Sequence, residues 1–231
     1  MLSIASQDCL KAILQLGGAE GSPVATTALA RRLGTRPATV HGVVTTLAAR
    51  DLVDHAPYKG VALTGPGREV AVGLVCRHRL WEVFLFRHLG FRWDEVHAIA
   101  EQLEHVEDPA FVERFDRFLG HPEVDPHGDP IPRDGVAVHP DGGCSLAELP
   151  DGKAGRIIGV LDSSEGFLRH LTQLGVELGS QVVPRLTHDF DGSRSVQCSR
   201  PDGGAVSEAV WTAETCNRLR VAVISFPAYS A

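Results

Sequence analysis

Apolar residues at Ile4, Leu10, Ile13, Leu14 and Leu16 follow a helical period, and Gly17-Gly18 stops the run. The pattern predicts a first helix over residues 4–16, with Asp8 and Lys11 on its polar side. A short run, TALARRL, gives a second helix, capped by Thr26 or Thr27 and closed at Gly34. In the next segment, TRPATVHGVVTTLAARDLV, Pro37 suits a helix start, and Val40, Val43, Val44 and Leu47 form its buried stripe. Two short strands then flank a Lys59-Gly60 turn. Two helices with a tight turn, followed by a small hairpin at this distance, make a winged helix-turn-helix; the alternative is an unrelated three-helix bundle with a hairpin.

From residue 67 to 87 a long helix is expected. Its apolar load (Val70, Leu74, Val75, Trp81, Val83, Phe84, Leu85, Phe86) exceeds one amphipathic face, so part of it faces a second copy of the chain. The segment 93–108, WDEVHAIAEQLEHVED, reads as one helix, with Val96, Ile99, Ala100, Leu103 and Val106 as its apolar stripe and Pro109 ending it. PAFVERFDRFLG gives another, and HPEVDPHGDPIPRDG is too rich in proline and glycine for regular structure. Beyond Cys144 the pattern changes to short strands separated by turns such as Pro150-Asp151-Gly152, which predicts a small barrel of about five strands. The expected architecture is multidomain and mainly α with β. It comprises a winged helix-turn-helix over 1–70, an all-α unit over 71–140 and a small β-barrel over 144–226.

Charge sharpens this division. The 231 residues carry a net charge of −7, but 1–70 holds 7 Lys/Arg against 5 Asp/Glu, while 71–143 holds 7 against 14 and 7 of the 11 histidines. A mildly basic head is thus joined to an acidic, His-rich middle, fitting a head that meets polyanion and a centre that meets cations. Five scattered cysteines with no CxxC pair indicate neither a disulfide framework nor a thiolate zinc site. No apolar run reaches membrane-spanning length and the start lacks a signal-peptide pattern, so a cytoplasmic protein without a membrane partner is expected.

In a winged helix the start of the second helix of the motif enters the major groove, which places Thr35, Arg36, Pro37, Ala38, Thr39, His41 and Gly42 at double-stranded DNA. Arg36 can reach phosphate or guanine, Thr39 a base edge, and small Ala38 and Gly42 permit close approach. Tyr58 and Lys59 on the wing would meet phosphates. In the acidic middle, His97, Glu101 and His105 are spaced i, i+4, i+8, with Glu104 three residues after Glu101, so the four share one side of the expected helix. Glu/His mixtures of this kind suit divalent transition metals; the other reading is a solvated acidic face. His78 and Glu82, at i, i+4, can share a ligand or a surface hydrogen bond.

Taken together, the winged helix, His78-Arg79-Leu80-x-Glu82, Val96-His97 with Glu101-x-x-Glu104-His105, and the loop Pro126-His127-Gly128-Asp129-Pro130-Ile131-Pro132 resemble the diphtheria toxin repressor and manganese transport regulator family. The segments LxxLPDGxxGRI and LxxLGVxLGSxV resemble the SH3-like (FeoA-like) domain of its long members. The resemblance implies a regulatory metal site of Asp8, Glu101, Glu104 and His105. It also implies an ancillary site of His78, Glu82 and His97, completed from the C-terminal domain. There SSEGFLRH departs from the family's acid and amide, and Glu165 is the candidate. Carboxylates at positions 8 and 101, where the iron-responsive branch carries sulfur, favour the harder Mn²⁺ over Fe²⁺, with other divalent transition metals accepted in vitro. Lys11 stands where manganese regulators carry a second carboxylate, and a cation there opposes a second nearby metal ion.

The function implied is a metal-dependent repressor of metal uptake genes, a homodimer on a palindromic operator. Two other readings remain at this stage. One is a winged-helix regulator of an organic ligand. The other is a metalloenzyme, although HExxH and Glu-x-x-His pairs on the 93–108 segment are missing, as is any nucleophile–base constellation.

Overall fold

The computed structural model describes residues 2–18, 21–56, 59–133, 142–201, 203–204 and 207–224. Tyr58, assigned above to the wing, lies outside them. The chain divides into two compact units, each with its own interior. The first comprises Met1–His88, Ala98–Glu123 and Pro130–His139; the second comprises Leu89–His97, Val124–Asp129 and Pro140–Ala231.

The first unit begins with α1 (Ile4–Gly17), capped by Ser3, whose side chain accepts from the Ser6 amide. Helices α2 (Thr26–Arg32) and α3 (Pro37–Ala48) follow. The expected threonine cap is absent. Extended Ala25 holds the cap position without a side-chain bond, and Thr26 is already inside the first turn. Pro37 opens α3, where its missing N–H costs nothing. Leu10 and Ile13 of α1 pack with Leu29 of α2 and Val40, Val44 and Leu47 of α3, so any restraint on α1 is felt by α3. The wing is β1 (Val53–Ala56) paired antiparallel with β2 (Gly60–Leu63), and Val24 adds a bridge to Val61.

Helix α4 (Gly65–Leu89) is capped by the Thr64 hydroxyl, which accepts from the Gly67 amide at 3.1 Å. A side chain at Gly67 would collide with the Leu52 carbonyl, so this first turn requires glycine. The outer aromatic residues of α4 meet α6 (Pro109–Phe118): Trp81 lies 4.5 Å from Phe115 between ring centres, and Phe84 contacts Phe115 and Phe118. Phe86, Phe111 and Phe118 remain exposed beside this layer.

The helix expected over residues 93–108 is shorter. Residues 93–95 form a turn, α5 spans Val96–Leu103, and Glu104 and His105 belong to the turn that follows. The physical reasons lie at both ends. Trp93 is committed to the core of the second unit, its indole N–H donating to Thr172 at 2.9 Å. At the far end Arg77 Nε donates to the Glu104 carbonyl at 2.7 Å, satisfying the backbone where the helix stops.

The second unit is built on one antiparallel six-stranded sheet. The strands are β3 (Cys144–Ser145), β4 (Gly155–Val160), β5 (Gln181–Thr187), β6 (Arg194–Ser199), β7 (Ser207–Trp211) and β8 (Leu219–Val223), in the order β3-β8-β4-β5-β6-β7. Among the described residues the sheet is open, correcting the expected closed five-stranded barrel: the end strands β3 and β7 each have one neighbour. Residues 165–173, read as strand, form α7 (Glu165–Gln173), because Leu168 and Leu171 are buried at helical spacing. A short α8 (Ala213–Asn217) links β7 to β8. The 125–129 loop is stitched to this sheet: Val160 N–H donates to the His127 carbonyl at 3.1 Å, and Gly128, at φ 85°, lies so close to Ile158 that a Cβ would not fit. No helix among the described residues is long and apolar enough to cross a membrane.

Candidate metal centre and DNA-reading face

The first unit contains a cleft of about 660 Å³ lined by α1 residues (Ile4, Asp8, Lys11, Ala12, Gln15), by the α5 segment (Ala98, Glu101, Gln102, Glu104, His105) and by Arg32 and Leu33. Ligand-capable atoms of Asp8, Glu104 and His105 all lie within 4.8 Å of one another, two oxygen donors and one nitrogen. That spacing and donor set fit a divalent transition metal. Glu101 lines the same cleft from an exposed position outside that tight group.

The protonation pattern prepares the donors. Gln7, buried just before Asp8, directs its amide nitrogen at the Glu107 carboxylate, an acceptor that fixes the amide orientation. The Gln7 oxygen then faces His105 Nδ1 at 2.7 Å, so Nδ1 carries the proton and donates. His105 Nε2 points toward Asp8 Oδ1 at 3.5 Å. Orientation of a ligating imidazole through its other nitrogen is the usual arrangement at metal sites. Gln7 was missed in the sequence, where glutamine carries no ligand signal. The only trace was a run of polar positions, Gln7, Asp8 and Lys11, interrupting the apolar pattern of α1.

Lys11, read on the polar side of α1 and set beside the metal site by the resemblance, is buried, 6% exposed, with Nζ donating to Glu104 Oε2 at 2.6 Å and lying 3.2 Å from His78 Nδ1. Glu104 Oε2 is also 2.5 Å from His78 Nδ1, and His78 Nε2 is 3.0 Å from Glu82 Oε1. The result is a buried chain, Glu82–His78–Glu104–Lys11. Burial alone would raise the Glu104 carboxyl, but the His78 hydrogen bond and the Lys11 charge outweigh it and hold the group below the usual carboxylate range. Burial pushes Asp8 up, with Glu104 and Glu101 adding to the effect against the pull of His105 and Lys11. Cys9, next in sequence, is fully buried and its thiol is pushed up to about 11, so no thiolate accompanies these oxygens.

Of the second ligand set, His78 and Glu82 are brought together by α4, whereas His97 belongs to the second unit. Glu165 also lies in the second unit, exposed on α7 and paired with Arg169 at 3.0 Å.

On the opposite functional face, Arg36, Pro37, Ala38, Thr39, His41 and Gly42 are all exposed at the start of α3, with Thr35 half-buried before them and Lys59 exposed on the wing. Among the described residues nothing lies within 4 Å of the position a Cβ would take at Gly42, so packing among them does not require a glycine that weakens the helix. His41 stacks edge-on against His55 of β1 at 5.8 Å, coupling this helix to the wing.

Residues 1–61 match the iron dependent repressor N-terminal DNA binding domain, 64–133 the iron dependent repressor metal binding and dimerisation domain, and 144–202 the FeoA domain. The chain is 30% identical over 188 residues to the iron-dependent repressor IdeR of Mycobacterium tuberculosis, covering 81% of this chain and 74% of the relative. Among solved structures it resembles a manganese-dependent transcriptional repressor in complex with manganese, at 34% identity and a TM-score of 0.80 over 95% of this chain and all of that one. It also resembles the manganese regulator SloR, at 27% identity and a TM-score of 0.71 over 95% of this chain and 98% of the other. The chain therefore belongs to the iron-dependent repressor family of metal-dependent, DNA-binding transcriptional regulators.

Proposed function

We propose that this protein is a manganese-responsive repressor in which Asp8, Glu101, Glu104 and His105 hold the regulatory ion. One observation carries the reading: Asp8 stands on α1, inside the core that positions α3, while Glu104 and His105 follow α5. A divalent cation supplies positive charge that draws carboxylates of both segments together. Joined there, α1 fixes α3, and the exposed residues 36–39, 41 and 42 with Lys59 read double-stranded DNA. Two heads of a homodimer, paired through the exposed aromatic face of α4 and α6, would meet successive major grooves of a palindromic operator about 34–36 Å apart. Heads not held at that spacing are competent only part of the time, and apparent affinity falls by that fraction. The division of labour follows residues 1–70 for DNA, 71–140 for metal and pairing, and 144–226 for the SH3-like part. A repressor of this kind works on cytoplasmic DNA, and metal uptake genes are the proposed targets.

An oxygen-rich set without thiolate favours Mn²⁺. Fe²⁺ is the second reading, favoured by the iron-dependent relatives. His78, Glu82 and His97 form the proposed ancillary set, with His78 exchanging one carboxylate partner for the ion. The test is titration of labelled promoter DNA with and without Mn²⁺, Fe²⁺ and Zn²⁺, for wild type and His105→Ala. Stimulation by Mn²⁺ in wild type and its loss in a folded, dimeric His105→Ala are expected. Equal stimulation of both would refute the site.

A further inference from the structure

We infer that Gln7 and Lys11 form a latch that docks α1 on residues 104–107 without a metal ion, and so position the DNA-reading head in the metal-free protein. What the ion adds to this attachment rests on the reading that Asp8, Glu104 and His105 hold it; the latch itself does not.

The first observation is where the contacts go. Gln7 and Lys11 stand one turn apart on the same face of α1, with Asp8 beside them. Each reaches out of the head. The Gln7 amide nitrogen donates to Glu107, and its oxygen faces His105 Nδ1 at 2.7 Å. Lys11 Nζ donates to Glu104 Oε2 at 2.6 Å and lies 3.2 Å from His78 Nδ1. All these partners lie beyond residue 70, so both side chains would lose them if the head swung away. The receiving segment is itself tied to α4. Arg77 Nε donates to the Glu104 carbonyl at 2.7 Å, and His78 Nδ1 is 2.5 Å from the Glu104 carboxylate. A continuous path of polar contacts thus runs from α4 to α1 through protein atoms alone.

The second observation is burial. Gln7 is 3% exposed and Lys11 6%. An amide and an ammonium withdrawn this far from water depend on their partners to offset lost hydration. Asp8 differs: its side chain is 39% exposed and approaches His105 only to 3.5 Å. The latch contacts hold α1, and the ligand residue between them stays accessible to an ion. Arg32, the other cation lining the cleft, bonds to Gln15 of α1 at 3.1 Å, a contact within the head that crosses to nothing else. With the latch closed, more of the metal-free molecules hold their heads in a competent position, which raises their operator affinity by the same factor.

The chain has three lysines, Lys11, Lys59 and Lys153, and the last two are exposed, so amine acylation read by mass spectrometry carries its own reference. In full-length protein stripped with a chelator, Lys11 is expected to react roughly a hundredfold more slowly than Lys59. Gln7→Leu should speed Lys11 roughly tenfold by loosening the other half of the latch. Lys11 reacting as fast as Lys59 in stripped wild type would overturn the inference, as would no acceleration in a folded Gln7→Leu. Labelled promoter DNA gives the second readout. Lys11→Met should weaken binding roughly tenfold in chelator, with saturating Mn²⁺ closing most of the gap, and Lys11→Arg should keep the metal-free affinity. An equal loss with and without Mn²⁺ would mean that Lys11 serves only the fold of the head, and the inference would fail. Failure of the metal-site reading shows separately, as a Mn²⁺ response that survives in Asp8→Ala, and leaves the chelator measurements standing.

Discussion

In the first unit Lys11, His78, Glu82 and Glu104 are buried against one another; in the second, Arg194 and Arg220 are buried against main-chain oxygens. Arg194 donates to the carbonyls of Leu146, Ala147 and Leu149 and to Asp151, and Arg220 donates to the Gly128 carbonyl at 2.8 Å. Both arrangements satisfy buried charge, but they differ in what can replace the partner. A backbone carbonyl cannot leave without the fold, so the two arginines are permanent pins holding the 146–151 turn and the 125–129 loop. Carboxylates and imidazole facing an open cleft can change partners, and an arriving cation competes for them on the terms that already hold Lys11. Burial of charge therefore marks structure in one place and regulation in the other, and the identity of the acceptor tells which.

The largest effect should come from breaking a pin. Arg194→Met removes the side-chain donor shared by three carbonyls and Asp151, leaves the buried Leu149 carbonyl without it, and is expected to cost about 3 kcal/mol. Urea unfolding followed in that unit would measure it. Because no exchangeable partner is involved, saturating Mn²⁺ should leave the loss unchanged and the cleft should bind metal as before; recovery on adding metal would abolish the distinction drawn here.

Next is the exchangeable cluster. Glu104→Gln removes the charge that Lys11 and His78 share, while the amide oxygen still accepts one hydrogen bond. A loss of about 2 kcal/mol is expected without metal. Wild type should also gain stability as Mn²⁺ is added, since a ligand of the native state stabilises by mass action, whereas the variant should not. Thermal melts across a Mn²⁺ series compare the two. A variant whose melting temperature still climbs with Mn²⁺ in parallel with wild type would place the ion elsewhere.

How much of this was legible in the sequence depends on which residues carried it. The winged helix could be read because Val40, Val44 and Leu47 keep a helical period and Pro37 marks where α3 starts. Glu104 and His105 were visible as ligand types, and the family motifs pointed to Asp8. Gln7 and the burial of Lys11 were not legible, because whether a polar residue of α1 faces water or a second segment depends on what packs there some ninety residues later. The length of the 93–108 helix failed for a related reason: its apolar period is sound, but Trp93 is claimed by a different core. In the C-terminal part, Leu168 and Leu171 fall in a window too short for period alone to separate helix from strand. Closure of a barrel depends on whether end strands meet, which strand patterns do not encode.

The smallest expected effect tests an intermediate case. Asp116 of α6 accepts from Arg133 at 2.6 Å and 3.2 Å and lies 2.7 Å from His121 Nδ1, so it is paired with an arginine and a histidine and is not among the residues lining the metal cleft. Burial would raise its carboxyl, yet the Arg133 and His121 hydrogen bonds prevail and hold it below its ordinary value of 3.8. The folded protein thus binds this proton less readily than the unfolded chain does. The associated stability is present in full above the unfolded value and is lost as pH falls through the lower, folded one. Asp116→Asn should cost about 1 kcal/mol near neutral pH, and the difference from wild type should shrink as pH falls below 3.8 and through the lower, folded value. Unfolding at a series of pH values gives this curve. It should be indifferent to Mn²⁺, because a carboxylate pinned by arginine outside the cleft is charged without being exchangeable. A difference that stays as large after the carboxyl has been protonated in the folded protein as at neutral pH would mean that Arg133 holds the shape of this side chain rather than its charge.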